Sequence, residues 1–145
     1  MKTLIPLACF ALACVAAPAE NPAPQPLSTI TFRGEEIPVF AAQAIQPKQW
    51  VQPEYPGWER QAKIDGEAVI TLLVGADGKV SEVDVLSSEP KAAFGKVARA
   101  AARQWQYEPL VQNGRATPFI VQQAVIFKVE GYQVALQRPI PASFR

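Results

Sequence analysis

From Ala68 onward the chain alternates: Ala68, Ile70, Leu72 and Val74 fall on one side of an extended backbone, and Val69, Thr71 and Leu73 on the other. A period of two is what a sheet imposes, so this run is a strand with one apolar face directed inward. "GADG" at 75–78 turns the chain, because Asp77-Gly78 tolerates the positive φ that such turns require. "KVSEVDVL", 79–86, returns as its antiparallel partner. The period then lengthens. Phe94, Val97, Ala98, Ala101 and Trp105 form one helical stripe, with Lys96, Arg99 and Arg103 on the solvent side. Ser88 or Glu89 can cap this helix, and Pro90 is tolerated in a first turn. Pro109 stops any continuation, "VQNGRATP" is a loop with an Asn113-Gly114 turn, and "FIVQQAVIFKV", 119–129, is a last strand. Upstream, "YPGWERQA" gives one or two helical turns after Pro56, limited by Gly57 and "KIDG", and Gly66 marks the change to strand. The order over residues 52–130 is α-β-β-α-β.

The flanks are patterned differently. "ENPAPQPLS", 20–28, is a proline-rich linker favouring extended conformation. "TITFRGEEIPVF", 29–40, sets Ile30 and Phe32 before a turn-like "RGEE" and Ile37, Val39 and Phe40 after it. It reads as a hairpin-like extension, restricted to an edge by Pro38. After residue 130 comes a tail, 131–145, with one further strand at 132–136. If Ala68, Ile70, Leu72 and Val74 face the helices, then Val69, Thr71, Leu73, Leu86, Ile120 and Ile126 leave the other face unusually apolar for a sheet in water. Residues 29–40 are expected to pack over that face or extend the sheet beside it. The rival cover is a dimer.

The first twenty residues have a different character. Lys2 precedes an apolar stretch from Leu4 to Ala17 and an A-P-A triplet ending at Ala19, the layout of a signal peptide over 1–19. An apolar run of roughly 14 residues is short against the ~20 that span a bilayer. A chain tethered through an uncleaved N-terminus, or through a lipidated Cys14 in "ALAC", is the alternative. Cleavage removes Lys2 and both cysteines, Cys9 and Cys14, and leaves thirteen basic and thirteen acidic side chains. No disulfide then staples the fold, and no basic excess points to nucleic acid.

Chemistry is thin. The chain of 145 residues has no histidine, and 49% of it is apolar, which suits one soluble domain with appendages. Without His or Cys a zinc site lacks its usual ligands, and a serine nucleophile lacks its usual base. No G-x-S-x-G, S-x-x-K or Gly-rich phosphate loop occurs. The expectation is a protein that is not an enzyme and takes no cofactor, metal or nucleic acid.

In this order "QPEYP", "KIDGEAVITLLV", "DGKVSEVDVLSSEP", "FGKVARAAARQWQYEP" and "VIFKV" resemble the TonB C-terminal domain family, the periplasmic energy transducers of Gram-negative bacteria. The match runs over residues 52–130, a little over half of the chain, with five elements in register. The resemblance implies an α+β fold: a three-stranded antiparallel sheet with two helices on one face. It also implies a partner, the TonB box of an outer-membrane transporter, added as an extra strand to an open sheet edge. Backbone hydrogen bonds would supply affinity there and side chains selectivity. Carried over, the docking edge is Gln122, Gln123, Ala124, Val125, Ile126 and Phe127, with the Q-P-x-Y-P element Gln52, Pro53, Tyr55 and Pro56 nearby. Gln122 and Gln123 stand out in an apolar strand, whereas Tyr55, Trp105 and Phe127 also read as core aromatics. Two departures bear on the activity: the chain lacks the anchor histidine of well-known members, and Glu20–Gln52 extends at most roughly 110 Å at ~3.4 Å per residue. A periplasmic peptide-binding module is the reading. A structural or dimerising envelope module with no transporter partner, in which a homodimer is the assembly, is the alternative.

Overall fold

The computed structural model describes residues 23–137. The expected signal peptide, the Cys14 alternative and residues 138–145 lie outside them. A strand needs neighbours for its backbone groups and a cover for its apolar face. Both are met around β9 (Phe119–Lys128) and β4 (Gly66–Val74), which pair antiparallel from Gly66↔Phe127 to Val74↔Phe119. β5 (Val80–Glu89) lies antiparallel on the other side of β4. α2 (Ala92–Ala102) packs on β4 and β5 and buries Phe94, Ala98, Ala101 and Ala102. The alternation of β4 is realised as expected: Ala68, Ile70, Leu72 and Val74 are all fully buried, while Val69, Thr71 and Leu73 are half-buried. α1 (Gly57–Gln61) is a short helix ahead of β4.

The sheet is larger than the three strands expected. β1 (Ser28–Phe32) and β2 (Glu35–Ala41) form a hairpin, and β2 joins β9 in parallel through Val39↔Ile120, Phe40↔Val121 and Ala41↔Gln122. β10 (Gln133–Gln137) pairs antiparallel with the C-terminal half of β9. The result is a six-stranded sheet of order β1-β2-β9-β4-β5, with β10 also on β9. The physical reason is the apolar content of the flanks. Phe40 and Val134 complete the helix-side core, while Ile37 and Val39 join Ile120, Phe32 and Leu73 on the opposite face. The hairpin therefore both lengthens the sheet and covers part of the face that the helices leave bare.

Short pairs finish the fold: β3 (Pro47–Gln49) with β6 (Gln106–Tyr107), and β7 (Leu110–Gln112) with β8 (Arg115–Thr117) across Asn113-Gly114. Residue Trp105 lies beyond the end of α2, yet it is buried, and its indole N–H donates to the Val51 carbonyl at 2.8 Å. Neither Ser88 nor Glu89 caps α2 as its first flanking residue, which is Lys91. Ser88 still serves the first turn, because its Oγ accepts the Gly95 N–H at 2.8 Å and donates to the Lys91 carbonyl at 2.6 Å.

Tyr107 is buried against Phe119, with ring centroids 6.0 Å apart, and its hydroxyl has no hydrogen-bond partner among the described residues. An unsatisfied buried hydroxyl costs on the order of 1–3 kcal/mol. Tyr107→Phe is therefore expected to stabilise the protein by about 1 kcal/mol in urea titrations at neutral pH. Burial also pushes the Tyr107 pKa well above the ordinary tyrosine value. The unfolded chain ionises first, so this contribution to stability is complete below pH ~10 and is lost at up to ~1.4 kcal/mol per unit above it. The phenylalanine variant should lack that component of alkaline destabilisation. Identical pH profiles would show that the hydroxyl is solvated.

Candidate functional site

Parity along β9 decides what each candidate can do. Phe119, Val121, Gln123, Val125 and Phe127 share the helix-side face, whereas Ile120, Gln122, Ala124 and Ile126 share the other. Gln123 accordingly is buried, 2% exposed, with its Nε2 donating to the Ala124 carbonyl at 2.7 Å. Gln122 is exposed, Ala124 buried and Ile126 half-buried; Val125 and Phe127 belong to the core. Of the two glutamines only Gln122 presents its side chain to solvent.

The backbone of β9 is not the open edge expected for Gln122 to Phe127. One flank is filled by β4; the other holds β2 against Ile120–Gln122 and β10 against Ala124–Lys128. The chain supplies its own neighbours because the flanking segments carry apolar residues that need this sheet, Phe40 on one side and Val134 and Leu136 on the other. Their alternation in "QVALQ" and "IPVF" was the available signal. The pairing of β2 with β9, about eighty residues on, leaves no local trace, whereas β10 follows β9 after a short reversal.

Tyr55 and Phe127 are brought together, and Gln52 is not. The Tyr55 ring meets Phe94, Phe127 and Tyr132 edge-on at 5.9, 5.8 and 6.0 Å, and its hydroxyl donates to the Ile64 carbonyl. Burial first, and Asp65 second, raise the Tyr55 pKa above its ordinary value. Pro53 is buried, Pro56 is half-buried, and Gln52 is exposed. Asp65 ties the end of β9 to the start of β4, accepting from the Val129 N–H at 2.7 Å. The Y-P segment thus fixes the C-terminal end of β9, where β10 docks. Between them Tyr132 and Gly131 take positive φ, 47° and 73°, to reverse the chain.

The arrangement can do one thing chemically. It holds an antiparallel strand of five residues on Ala124–Lys128, largely through backbone, with the Val134 side chain buried. Among the described residues no group of three His, Cys, Asp or Glu side chains gathers to hold a metal, and no helix is long and apolar enough to cross a membrane.

Residues 51–129 match the family model of the Gram-negative bacterial TonB protein C-terminal. Protein TonB of Pseudomonas aeruginosa is 28% identical over 86 residues, 59% of this chain and 25% of that protein. Protein TonB of Escherichia coli is 34% identical over 80 residues, 55% of this chain and 31% of that protein. The chain thus spans about a quarter to a third of the length of these curated relatives. The solution NMR structure of the Pseudomonas aeruginosa TonB CTD superposes with a TM-score of 0.52 at 28% identity, covering 59% of this chain and 87% of that one.

Proposed function

The chain belongs to the family of Gram-negative bacterial TonB C-terminal domains, and from that premise we propose that it is a periplasmic, non-enzymatic TonB-like protein that binds the TonB box of an outer-membrane transporter by strand addition. It takes part in TonB-dependent transport across the envelope. The docking site is the flank of β9 over Ala124, Val125, Ile126 and Phe127, with Gln122 at its margin and Tyr55 holding its end; Gln52 is exposed on the Y-P segment and Gln123 supports the strand from within. The observation that carries this reading is β10: the flank already receives an antiparallel strand. An incoming segment makes the same rungs, and it must first displace those of β10.

The test is a titration of a fluorescent TonB-box peptide into the full chain and into a chain ending at Tyr132. Removing β10 eliminates the competitor, so the truncated chain should bind at least about tenfold more tightly, equivalent to ~1.4 kcal/mol of strand release. Material from the periplasmic fraction should have the mass of a chain beginning after Ala19. Absence of peptide binding by both chains would overturn the reading in favour of a structural envelope module.

A further inference from the structure

Among the described residues three strands of the main sheet have a side with no neighbouring strand: β1, β5 and β10. An open edge is a template for another strand unless something blunts it. β10 sits on the β9 flank assigned to the TonB box. β5 is blunted twice: its register against β4 slips at Leu86 and at Ser81, two bulges, and it carries Glu82, Asp84 and Glu89 exposed. β1 has no such device. "STITF" has no charge and no proline, and it holds regular register with β2 over all five residues.

The hydrogen-bonding phase of β1 follows from its turn. Arg33 and Gly34 both take positive φ, 53° and 85°, the two-residue turn suited to a hairpin. Phe32 and Glu35 flank it as a hydrogen-bonded pair, so Ile30↔Ile37 is hydrogen-bonded as well, while Thr29↔Pro38 and Thr31↔Glu36 are not. Pro38, which has no N–H, fits that phase. Thr29 and Thr31 therefore aim their N–H and C=O groups away from β2 into solvent.

We infer that β1 is a self-pairing edge: two copies of the chain join β1 to β1, antiparallel about a two-fold axis at Ile30, into one continuous sheet. Thr29 then faces the partner's Thr31, and the two such pairs make four backbone hydrogen bonds. The side chains agree with this register. Ile30 shares its face with Ile37, in the row that continues through Val39, Ile120 and Leu73, but it ends that row 42% exposed. The partner's Ile30 covers it. No like charges meet in β1, whereas β5 would set acids against acids. A second copy is the occupant because the edge complements itself without a side chain that needs any other partner. The contact is five residues a side and belongs to the weak, transient class of interface. β1 lies outside residues 51–129 and is separated from β9 by β2, so self-pairing at β1 leaves the exchange of β10 for a ligand on β9 undisturbed.

Cross-linking tests the register in the full chain with Cys9 and Cys14 replaced by serine. Ile30 faces its own copy as a non-hydrogen-bonded pair, with Cα atoms roughly 4.5 Å apart, which suits a disulfide. Ile30→Cys should oxidise to a covalent dimer, and Ser28→Cys, set opposite the partner's Phe32, should not. In sedimentation the unmodified chain should dimerise at high concentration. Thr31→Pro and Ile30→Lys should each weaken that dimer about tenfold or more. A chain that is monomeric throughout, equal cross-linking at Ser28→Cys, or a dimer indifferent to both substitutions would overturn the inference. So would an extended peptide of another protein bound at this edge to a monomer.

Discussion

Excision of residues 23–45 is expected to unfold the chain or leave it aggregating, although the excised segment lies entirely outside the family match of residues 51–129. Phe40 is fully buried and meets Phe119 edge-on at 6.1 Å. Deleting a buried phenylalanine side chain costs about 3–5 kcal/mol, a large part of the 5–15 kcal/mol that holds a domain together. The excision also removes Ala42 from the same cluster, strips Ile37 and Val39 from Ile120 and Leu73, and bares the backbone of β9 from Ile120 to Gln122. Phe40→Ala alone should show most of the loss in urea titration without exposing the strand edge. An excised chain that stays monomeric, soluble and within ~1 kcal/mol of the full one would mean that residues 51–129 hold their own core.

The second large effect is local. Gly78 sits at φ 81° in the turn between β4 and β5, and a Cβ there would lie 2.1 Å from the Tyr107 carbonyl oxygen. That oxygen is backbone, and Tyr107 is itself fastened to the turn, its N–H donating to the Gly78 carbonyl at 2.8 Å. Gly78→Ala therefore combines the left-handed penalty of ~1 kcal/mol with forced separation of β6 from the turn, about 3 kcal/mol or more together. Gly114 provides the comparison. It has φ 74° but nothing within 4 Å of its Cβ position, so Gly114→Ala should cost only the backbone part, ~1 kcal/mol. Equal losses for the two variants in thermal melts would show that β6 does not press on the turn.

What could be read in the sequence was whatever has a local period. β4 is legible because one face is wholly buried and the other is not, and α2 because Phe94, Ala98 and Ala101 recur at helical spacing. Parity alone already puts Gln123 beside Val121 and Val125; its polarity draws attention to it as a surface residue, and burial with a hydrogen-bonded amide is the outcome. β6, β7 and β8 have two or three residues each, too few to display a period. The neighbours of β9 were legible as strands but not as its neighbours. "IPVF" and "QVALQ" read as extended, but nothing local to either states that both lie along one flank of the same strand. For the candidate site, the legible part was the strand and its aromatic support, and the illegible part was that its edge is occupied.

The parallel pairing of β2 with β9 joins residues about eighty positions apart, and loop closure over that length costs roughly 4 kcal/mol of chain entropy before any contact forms. The β4–β5 hairpin closes over the five residues between Val74 and Val80 and needs far less. Because β2 precedes its partner strand by about eighty residues, the hairpin of residues 28–41 waits with Phe40 and Ile37 exposed while the rest of the sheet assembles. Docking of β2 is then a slow, late step of high contact order. Until it occurs, the N-terminal half of β9 is an unsealed edge, and a chain caught at this stage is the species open to capture by a chaperone or by a neighbouring copy.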